Sequence, residues 1–117
     1  MSSPLSPSVP QVDPVEGARL VEEGAYLLDV REIDEWTAGH APVAAHLPLG
    51  EVPLRVEELP TDRPVVAICR AGGRSQQAAE FLRRQGVDAI NLAGGMRAWH
   101  AAGLDVVTDE GTGGTVI

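Results

Sequence analysis

The sequence predicts an open α/β domain in which a mainly parallel five-stranded sheet carries helices on both faces. Short apolar segments of strand type alternate along the chain with segments of helical periodicity, an order typical of parallel sheets. The strand segments are apolar almost throughout, which indicates strands that are buried on both faces. Because 44% of the residues are hydrophobic and only two Trp, one Tyr and one Phe occur, the core must consist mainly of aliphatic side chains.

The first third of the chain predicts two strands around a capped helix. Residues 9–12 form a short apolar segment that we assign to the first strand. Asp13 is a typical N-cap and Pro14 a typical first helical residue, so we expect a helix over residues 14–23 that ends before a glycine. The compact apolar run 26–30 then predicts the second strand.

The middle of the chain predicts a short helix, a brief strand, a second helix and a strongly apolar strand. Residues 32–38 have helical character, and residues 44–47 are assigned to the third strand. Apolar side chains recur at helical spacing over residues 52–59, which predicts an amphipathic helix with Pro53 in its first turn. Residues 65–68 are the most apolar segment and predict the fourth strand.

The last third of the chain predicts a helix, a strand and a final helix. Residues 74–85 place apolar side chains on one helical face, and residues 89–92 are assigned to the fifth strand. A glycine pair then turns the chain into a last helix over residues 96–102. Ligands of such sheets bind at the carboxyl ends of the strands, and Cys69 directly follows one of these ends.

One domain is expected over residues 9–107, because 117 residues suffice for one ordinary core but not for two. Residues 1–8 are rich in Ser and Pro, residues 108–117 are rich in Gly and Thr, and both segments predict flexible tails. The N-terminal residues lack the features of a signal peptide, and no apolar run is long enough to cross a membrane. We therefore expect a cytoplasmic protein that has no membrane partner.

The charge balance and the histidines exclude several classes of function. Seventeen acidic residues against nine basic ones give a net charge of −8, which disfavours nucleic acid as a partner. All nine basic residues are arginines, so no lysine is present for Schiff-base chemistry or a phosphate-binding P-loop. His40, His46 and His100 lack metal-ligand spacing, and we predict neither a metal nor a cofactor. Trp36 and Trp99 are interpreted as packing anchors.

The most informative residue is Cys69, the only cysteine of the chain. It ends an apolar strand segment and opens the sequence Cys-Arg-Ala-Gly-Gly-Arg-Ser at 69–75, which leads into a predicted helix. A glycine-containing loop at a helix start supplies inward-pointing N–H groups and a positive dipole, while Arg70 and Arg74 supply positive charge. Such surroundings lower the pKa of a thiol, so we predict a reactive nucleophile at the mouth of a shallow pocket.

Four stretches, which include this loop, carry a family resemblance. They are Leu-Leu-Asp-Val-Arg-Glu at 27–32, Gly-His-Ala-Pro at 39–42, the cysteine loop at 69–75, and Gly-Gly-Met-Arg-Ala-Trp at 94–99 with Ala-Gly-Leu at 102–104. Over residues 9–107 the chain thereby resembles the rhodanese family of single-domain sulfurtransferases. It departs from the family pattern at Ala41, where isoleucine is usual, and at Val43, where glycine is usual.

The resemblance implies the rhodanese fold and a sulfur-transfer reaction at Cys69. The thiolate would take a sulfane sulfur from thiosulfate or a related small donor and hold it as a persulfide, which a thiol or cyanide would then remove. The resemblance also implies that the loop binds the donor, through Arg70, Ala71, Gly72, Gly73, Arg74 and Ser75. Asp29 and Arg31 are expected to support the site, either at its rim or, for Asp29, as a cap of the following helix.

Two alternative functions use the same cysteine. A non-catalytic sulfur carrier or binding module would receive a persulfide from a protein partner and pass it on through Cys69. A cysteine phosphatase or arsenate reductase has a similar anion loop, but that loop holds one residue more than the four that separate Cys69 from Arg74. A thiol-disulfide oxidoreductase is disfavoured, because the chain has no resolving cysteine.

Overall fold

The computed structural model describes residues 8–117 as an α/β domain. Its strands are β1 (Gln11–Val12), β2 (Tyr26–Asp29), β3 (Ala45–His46), β4 (Val65–Ile68) and β5 (Ala89–Leu92). Its α-helices are α1 (Pro14–Glu22), α2 (Ile33–Ala38), α3 (Gly73–Arg84) and α4 (Gly95–Ala101). These elements alternate as the sequence predicts. The predicted N-terminal tail lies, up to residue 7, outside the described residues.

The five strands form one open sheet in the order β1-β5-β4-β2-β3, and every neighbouring pair is parallel. The apolar segment β4 lies at the centre, between β2 and β5. The predicted fold class is therefore confirmed. Because parallel strands end at the same edge, the segments that follow β2, β4 and β5 come together at the carboxyl edge of the sheet.

The sheet separates two apolar cores, one against each layer of helices. On β4, Val65 belongs with the following residue Cys69 to the core that is closed by α3, whereas Val66 and Ile68 belong to the core that is closed by α1 and α4. This alternation follows from the period of two along a strand. The side chain of Cys69 is thus directed to the α3 face, where the helix that follows it begins.

The predicted amphipathic helix over 52–59 is wrong. The chain forms two short 3₁₀ segments there, Leu49–Leu54 and Val56–Glu58. Pro53 has no N–H to donate, and Arg55 leaves the helical region with φ −132°, so no regular α-helix extends through the segment. Val52 and Leu59 are nevertheless buried, which explains the apolar spacing in the sequence.

Residues 108–117, for which the sequence predicts a flexible tail, instead form a strap against the domain. Within this C-terminal strap the Thr115 N–H donates to the carbonyl oxygen of Ala38, at the end of α2, over 2.9 Å. The side chain of Val116 packs against the core closed by α1 and α4. These contacts anchor a segment whose Gly and Thr composition alone indicates disorder. Among residues 8–117, no helix is long and apolar enough to span a lipid bilayer.

Candidate active site

The structure places Cys69 immediately after β4 and before the first turn of α3. Gly72 adopts φ +109°, a left-handed conformation that glycine reaches without strain, and it acts as the N-cap of α3. The loop can therefore reverse within three residues and bring the start of α3 over the thiol. Cys69 is only 1% exposed.

This burial corrects the expectation that Cys69 lies at the mouth of a shallow pocket. A groove of about 300 Å³ exists, but its lining includes Ala18, Val21 and Trp99, which belong to the opposite face of the sheet. The start of α3 covers the sulfur instead, because Ser75 is fully buried beside it.

Hydrogen-bond donors converge on the sulfur of Cys69. The Gly72 N–H donates to Sγ over 3.1 Å, and the Ser75 hydroxyl lies 3.3 Å from it. Burial raises the pKa of the Cys69 thiol, but hydrogen bonds from the Ser75 hydroxyl and from the N–H groups of Ser75, Gly72 and Ala71 together outweigh this effect. The net result is a pKa below the ordinary value of a thiol, as the sequence predicts.

The turn that follows β5, with its glycine pair, packs against the backbone of the cysteine loop. The Met96 N–H donates to the carbonyl oxygen of Cys69 over 2.7 Å, and the Arg97 N–H donates to that of Arg70 over 3.0 Å. Gly95 lies so close to the loop that a Cβ on it would overlap the Cys69 carbonyl oxygen and approach the carbonyl carbon of Arg70 to 2.6 Å. Met96 and Arg97 in α4 therefore fix the loop carbonyls, and the glycine pair permits this close approach in addition to forming the tight turn that the sequence indicates.

Asn91 is a site residue that sequence reasoning missed. It lies on β5, is 4% exposed, and its Oδ1 accepts a hydrogen bond from the Ser75 hydroxyl over 2.6 Å. Its Nδ2 lies 3.3 Å from the carbonyl oxygen of Gly72. The available signal was a single amide within an otherwise apolar strand that neighbours the cysteine strand.

Arg74 is brought to the site, but its charge is paired. Its guanidinium donates two hydrogen bonds to the carboxylate of Glu35, over 2.7 and 2.8 Å. These bonds from Arg74 hold the pKa of Glu35 below its usual range, although partial burial opposes the effect. Sequence reasoning also missed Glu35. The pattern that could have drawn attention to it is the capping box that Glu32 and Glu35 form at the start of α2.

The other predicted loop residues lie mostly at the surface. Arg70 is exposed, and its Nε donates to the carbonyl oxygen of Ile117 in the C-terminal strap over 2.9 Å. Ala71 is exposed, and Gly73 is the first residue of α3, at the surface of the domain. Ser75 is the predicted loop residue whose side chain contacts the sulfur of Cys69.

Asp29 and Arg31 form a fully buried ion pair next to the site. The Arg31 guanidinium donates to the carboxylate of Asp29 over 2.8 to 3.1 Å and to the carbonyl oxygen of Gly39 over 2.7 Å. The N-cap of α2 is Glu32, so the expectation that Asp29 caps this helix is wrong. Within residues 8–117, Nη1 of Arg31 has no hydrogen-bond partner.

Two of the histidines stack with Trp36. Its ring lies 3.6 Å from the ring of His40 and 4.9 Å from that of His46, measured between centroids. Trp36 therefore organises a cluster of aromatic rings, whereas Trp99 is the packing anchor that the sequence predicts, at 5% exposure. Within residues 8–117, no three His, Cys, Asp or Glu side chains are grouped so that they could hold a metal ion.

Comparison with known proteins identifies relatives that are named for sulfur transfer. A sulfurtransferase of Allochromatium vinosum is 43% identical over 76% of this chain and 84% of its own length. A putative sulfur carrier protein of Bacillus subtilis, YrkF, is 39% identical over 84% of this chain and 55% of its own length. The thiosulfate sulfurtransferase GlpE of Pseudomonas savastanoi pv. phaseolicola is 33% identical over 78% of this chain and 87% of its own length.

The fold is shared with solved structures of the same type. A crystal structure of a rhodanese-related protein from Thermoplasma volcanium superposes with a TM-score of 0.81, at 27% identity, over 86% of this chain and 99% of that one. The rhodanese-like domain family matches residues 13–102, which include the whole sheet except β1. With the cysteine loop at the carboxyl edge of that sheet, these findings establish that the chain belongs to the rhodanese-like domain family of sulfurtransferases.

Proposed function

We propose that this protein is a thiosulfate sulfurtransferase that works through a Cys69 persulfide. The observation that carries the proposal is the convergence of the Gly72 N–H and the Ser75 hydroxyl on the sulfur. These donors favour the thiolate, which is the nucleophilic form of cysteine. The relatives named as sulfurtransferases, and GlpE in particular, support sulfur transfer as the reaction and thiosulfate as the donor.

The reaction takes place as two displacements at sulfur. The Cys69 thiolate attacks the outer sulfur of thiosulfate, the bond between the two donor sulfurs breaks, and sulfite leaves with its electron pair. The product is a persulfide whose terminal sulfur is an anion that loop N–H groups can stabilise. A thiolate or cyanide then attacks this terminal sulfur, and the Cys69 thiolate is released for the next cycle.

Access to the sulfur requires the loop to open. Cys69 is 1% exposed, and Gly72 and Ser75 are hydrogen-bonded to its sulfur, so we infer that these residues shift when the donor aligns with Sγ. The cover is the first turn of a helix and contains two glycines, Gly72 and Gly73. We therefore assign the opening motion to residues 71–75, with β4, the Gly94–Gly95 turn and the loop carbonyls bonded to α4 as its fixed base.

A protein persulfide is the second candidate donor, and the charges of the loop favour it. Arg74 is paired with Glu35, and Arg70 is hydrogen-bonded to the C-terminal strap. Arg70 keeps its charge at the surface, but with a net charge of −8 on the whole chain the surroundings repel a small dianion. The relationship to the putative sulfur carrier YrkF supports a place for this chain in a persulfide relay with a protein partner.

Turnover with different donors tests the proposal. The purified protein is assayed with thiosulfate, with mercaptopyruvate and with a protein persulfide, each with cyanide and with a thiol as acceptor. We expect turnover with thiosulfate that is abolished by Cys69→Ser. Turnover with the protein persulfide alone would assign the chain to the relay, and no sulfur transfer from any donor would overturn both assignments.

The phosphatase alternative is tested in the same series. Four residues between Cys69 and Arg74 leave a small ring of amides, which suits one sulfur better than a tetrahedral oxyanion. We propose that hydrolysis of an aryl phosphate by the native protein is negligible. A variant with one glycine inserted after Gly72 has the longer spacing and serves as the comparison, and efficient hydrolysis by the native protein would contradict the sulfurtransferase assignment.

A further inference from the structure

The Ser75 hydroxyl has one hydrogen and more than one acceptor within reach. Its Oγ lies 2.6 Å from Oδ1 of Asn91, 3.3 Å from Sγ of Cys69 and 3.4 Å from the carbonyl oxygen of Gly72. A hydroxyl group donates one hydrogen bond at a time. Both Oδ1 of Asn91 and Sγ of Cys69 lie within hydrogen-bond distance, so Asn91 competes with the sulfur for this hydrogen.

The orientation of the Asn91 amide is determined by its other contacts. Nδ2 lies 3.3 Å from the carbonyl oxygen of Gly72, a group that only accepts, and 2.8 Å from Oε1 of Gln11. The Gln11 amide is fixed in the same way, because its Nε2 lies 3.3 Å from the carbonyl oxygen of Val9. Oδ1 of Asn91 must therefore face Ser75 as an acceptor.

The chain of amides continues from Asn91 to a carboxylate on α3. Nε2 of Gln11 donates to Oε1 of Gln76 over 2.6 Å, and Nε2 of Gln76 donates to Oε2 of Glu80 over 3.3 Å. In this series each amide donates to the next acceptor, and the last acceptor is the carboxylate of Glu80. Such an arrangement polarises each acceptor in turn, so Asn91 is a stronger competitor for the hydroxyl hydrogen than an isolated amide.

We propose that Asn91 is a positioning residue, which acts on Cys69 by competing with the sulfur for the Ser75 hydroxyl hydrogen. The inference rests on the proposed function only in that Cys69 is the nucleophile. When Asn91 is present, the sulfur anion keeps the Gly72 N–H but shares the Ser75 hydroxyl. When the Asn91 acceptor is removed, the hydroxyl turns to the sulfur, because a thiolate is a better acceptor than the remaining neutral carbonyl of Gly72.

The native protein and the Asn91 and Ser75 variants have the same charged groups around the sulfur. Arg74 on α3 interacts with the charge of Cys69, and Glu35 and Glu32 act on Arg74. Arg31 on the neighbouring segment acts on Glu35. Because no variant changes these residues, a difference between the variants reports on the hydrogen bonds of Asn91 and Ser75.

The test measures the rate of alkylation of Cys69 by iodoacetamide as a function of pH. Only the thiolate reacts, so the rate is highest above the thiol pKa and falls as the pH drops through it. We expect Asn91→Leu to lower the midpoint of this profile by about one pH unit, because the anion gains a hydrogen bond. Ser75→Ala is expected to raise the midpoint, since the hydroxyl is lost.

A double-mutant cycle separates this mechanism from a general structural effect. In the Ser75→Ala background, Asn91→Leu should leave the midpoint unchanged, because the hydroxyl through which Asn91 acts is missing. The proposal is overturned if Asn91→Leu shifts the midpoint equally with and without the Ser75 hydroxyl. It is also overturned if Asn91→Leu does not shift the midpoint in the protein that keeps Ser75. If the leucine variant does not fold, the test is repeated with Asn91→Val, because valine has a high strand propensity. Alkylation needs no sulfur donor, so its result is independent of whether the protein transfers sulfur.

Discussion

At the scale of single residues, the site is defined by which charges are free and which are paired. Cys69 accepts hydrogen bonds that favour its anion, yet the guanidinium of Arg74, which interacts with the charge of Cys69, is paired with Glu35. The pair is partly buried, with 34% of the Arg74 side chain and 13% of the Glu35 side chain exposed. Glu35 therefore limits how strongly the site attracts an anionic donor.

Replacing Glu35 by glutamine tests this balance. The introduced amide keeps an oxygen that can accept hydrogen bonds from Arg74 and from the Glu32 N–H, but the negative charge is removed. The KM for thiosulfate should fall in Glu35→Gln and rise in Arg74→Ala, while kcat in Glu35→Gln stays close to that of the native protein. Steady-state kinetics with thiosulfate and cyanide measures both constants.

The control for the Glu35 variant is Glu57→Gln, which changes the net charge equally in the exposed 3₁₀ segment Val56–Glu58. Its KM should be that of the native protein. If Glu35→Gln and Glu57→Gln lower KM by the same factor, the effect belongs to the overall charge. If Glu35→Gln raises KM, Glu35 is needed to position Arg74 rather than to mask it.

At the scale of elements, two neighbouring strand ends build the site together. β4 leads into the cysteine loop, whereas β5 carries Asn91 and leads into the glycine turn and the N–H groups of α4 that bind the loop carbonyls. Gly95 adopts φ +60° and contacts the backbone of Cys69 and Arg70. The loop geometry therefore depends on a residue that is distant in sequence and has no side chain.

The variant Gly95→Ala is expected to displace the cysteine loop, because its Cβ would overlap backbone atoms that cannot rotate away. Displacements of about 1 Å at reacting groups can reduce rates about a hundredfold, and we expect a loss of that order in persulfide formation. The control is Gly103→Ala, which also has a positive φ but whose added Cβ would meet no atom within 4 Å. It should cost only the left-handed strain, about 1 to 2 kcal/mol in the free energy of unfolding, and keep its activity.

The sequence predicts the strands, the helices around them and the position of the nucleophile, because each depends on local patterns. Apolar runs identify β2, β4 and β5, and the cap at Asp13 identifies the start of α1. The 3₁₀ segments are missed because apolar spacing at Val52 and Leu59 reports burial rather than helix type. A proline inside such a segment is the stronger signal.

The partners of the cysteine loop could not be predicted in the same way. Asn91 and Glu35 reach the loop through the pairing of β4 with β5 and the packing of α2, which are long-range contacts. Their residue types alone fit a strand position and a capping box. The burial of Cys69 likewise depends on how closely α3 covers it, which no local pattern indicates.

At the scale of the whole molecule, the C-terminal strap connects elements that surround the site. It is hydrogen-bonded to the end of α2, packs on the core beneath α4, and contacts the cysteine loop through Arg70. The chain as a whole carries the excess of acidic residues that gives the net charge of −8. An uncharged or protein-bound donor meets less repulsion from this charge than thiosulfate does.

Intact-mass spectrometry shows whether Cys69 accepts one sulfur atom from a donor. The native protein is incubated with thiosulfate, and excess reagent is removed in a buffer without reductant. Its mass is then measured together with that of Cys69→Ser treated in the same way. We predict a gain of one sulfur, about 32 Da, in the native protein, its loss on addition of cyanide, and no gain in the variant. If the mass of the native protein stays unchanged with thiosulfate and with a protein persulfide, or if Cys69→Ser gains the same mass, Cys69 does not form the persulfide.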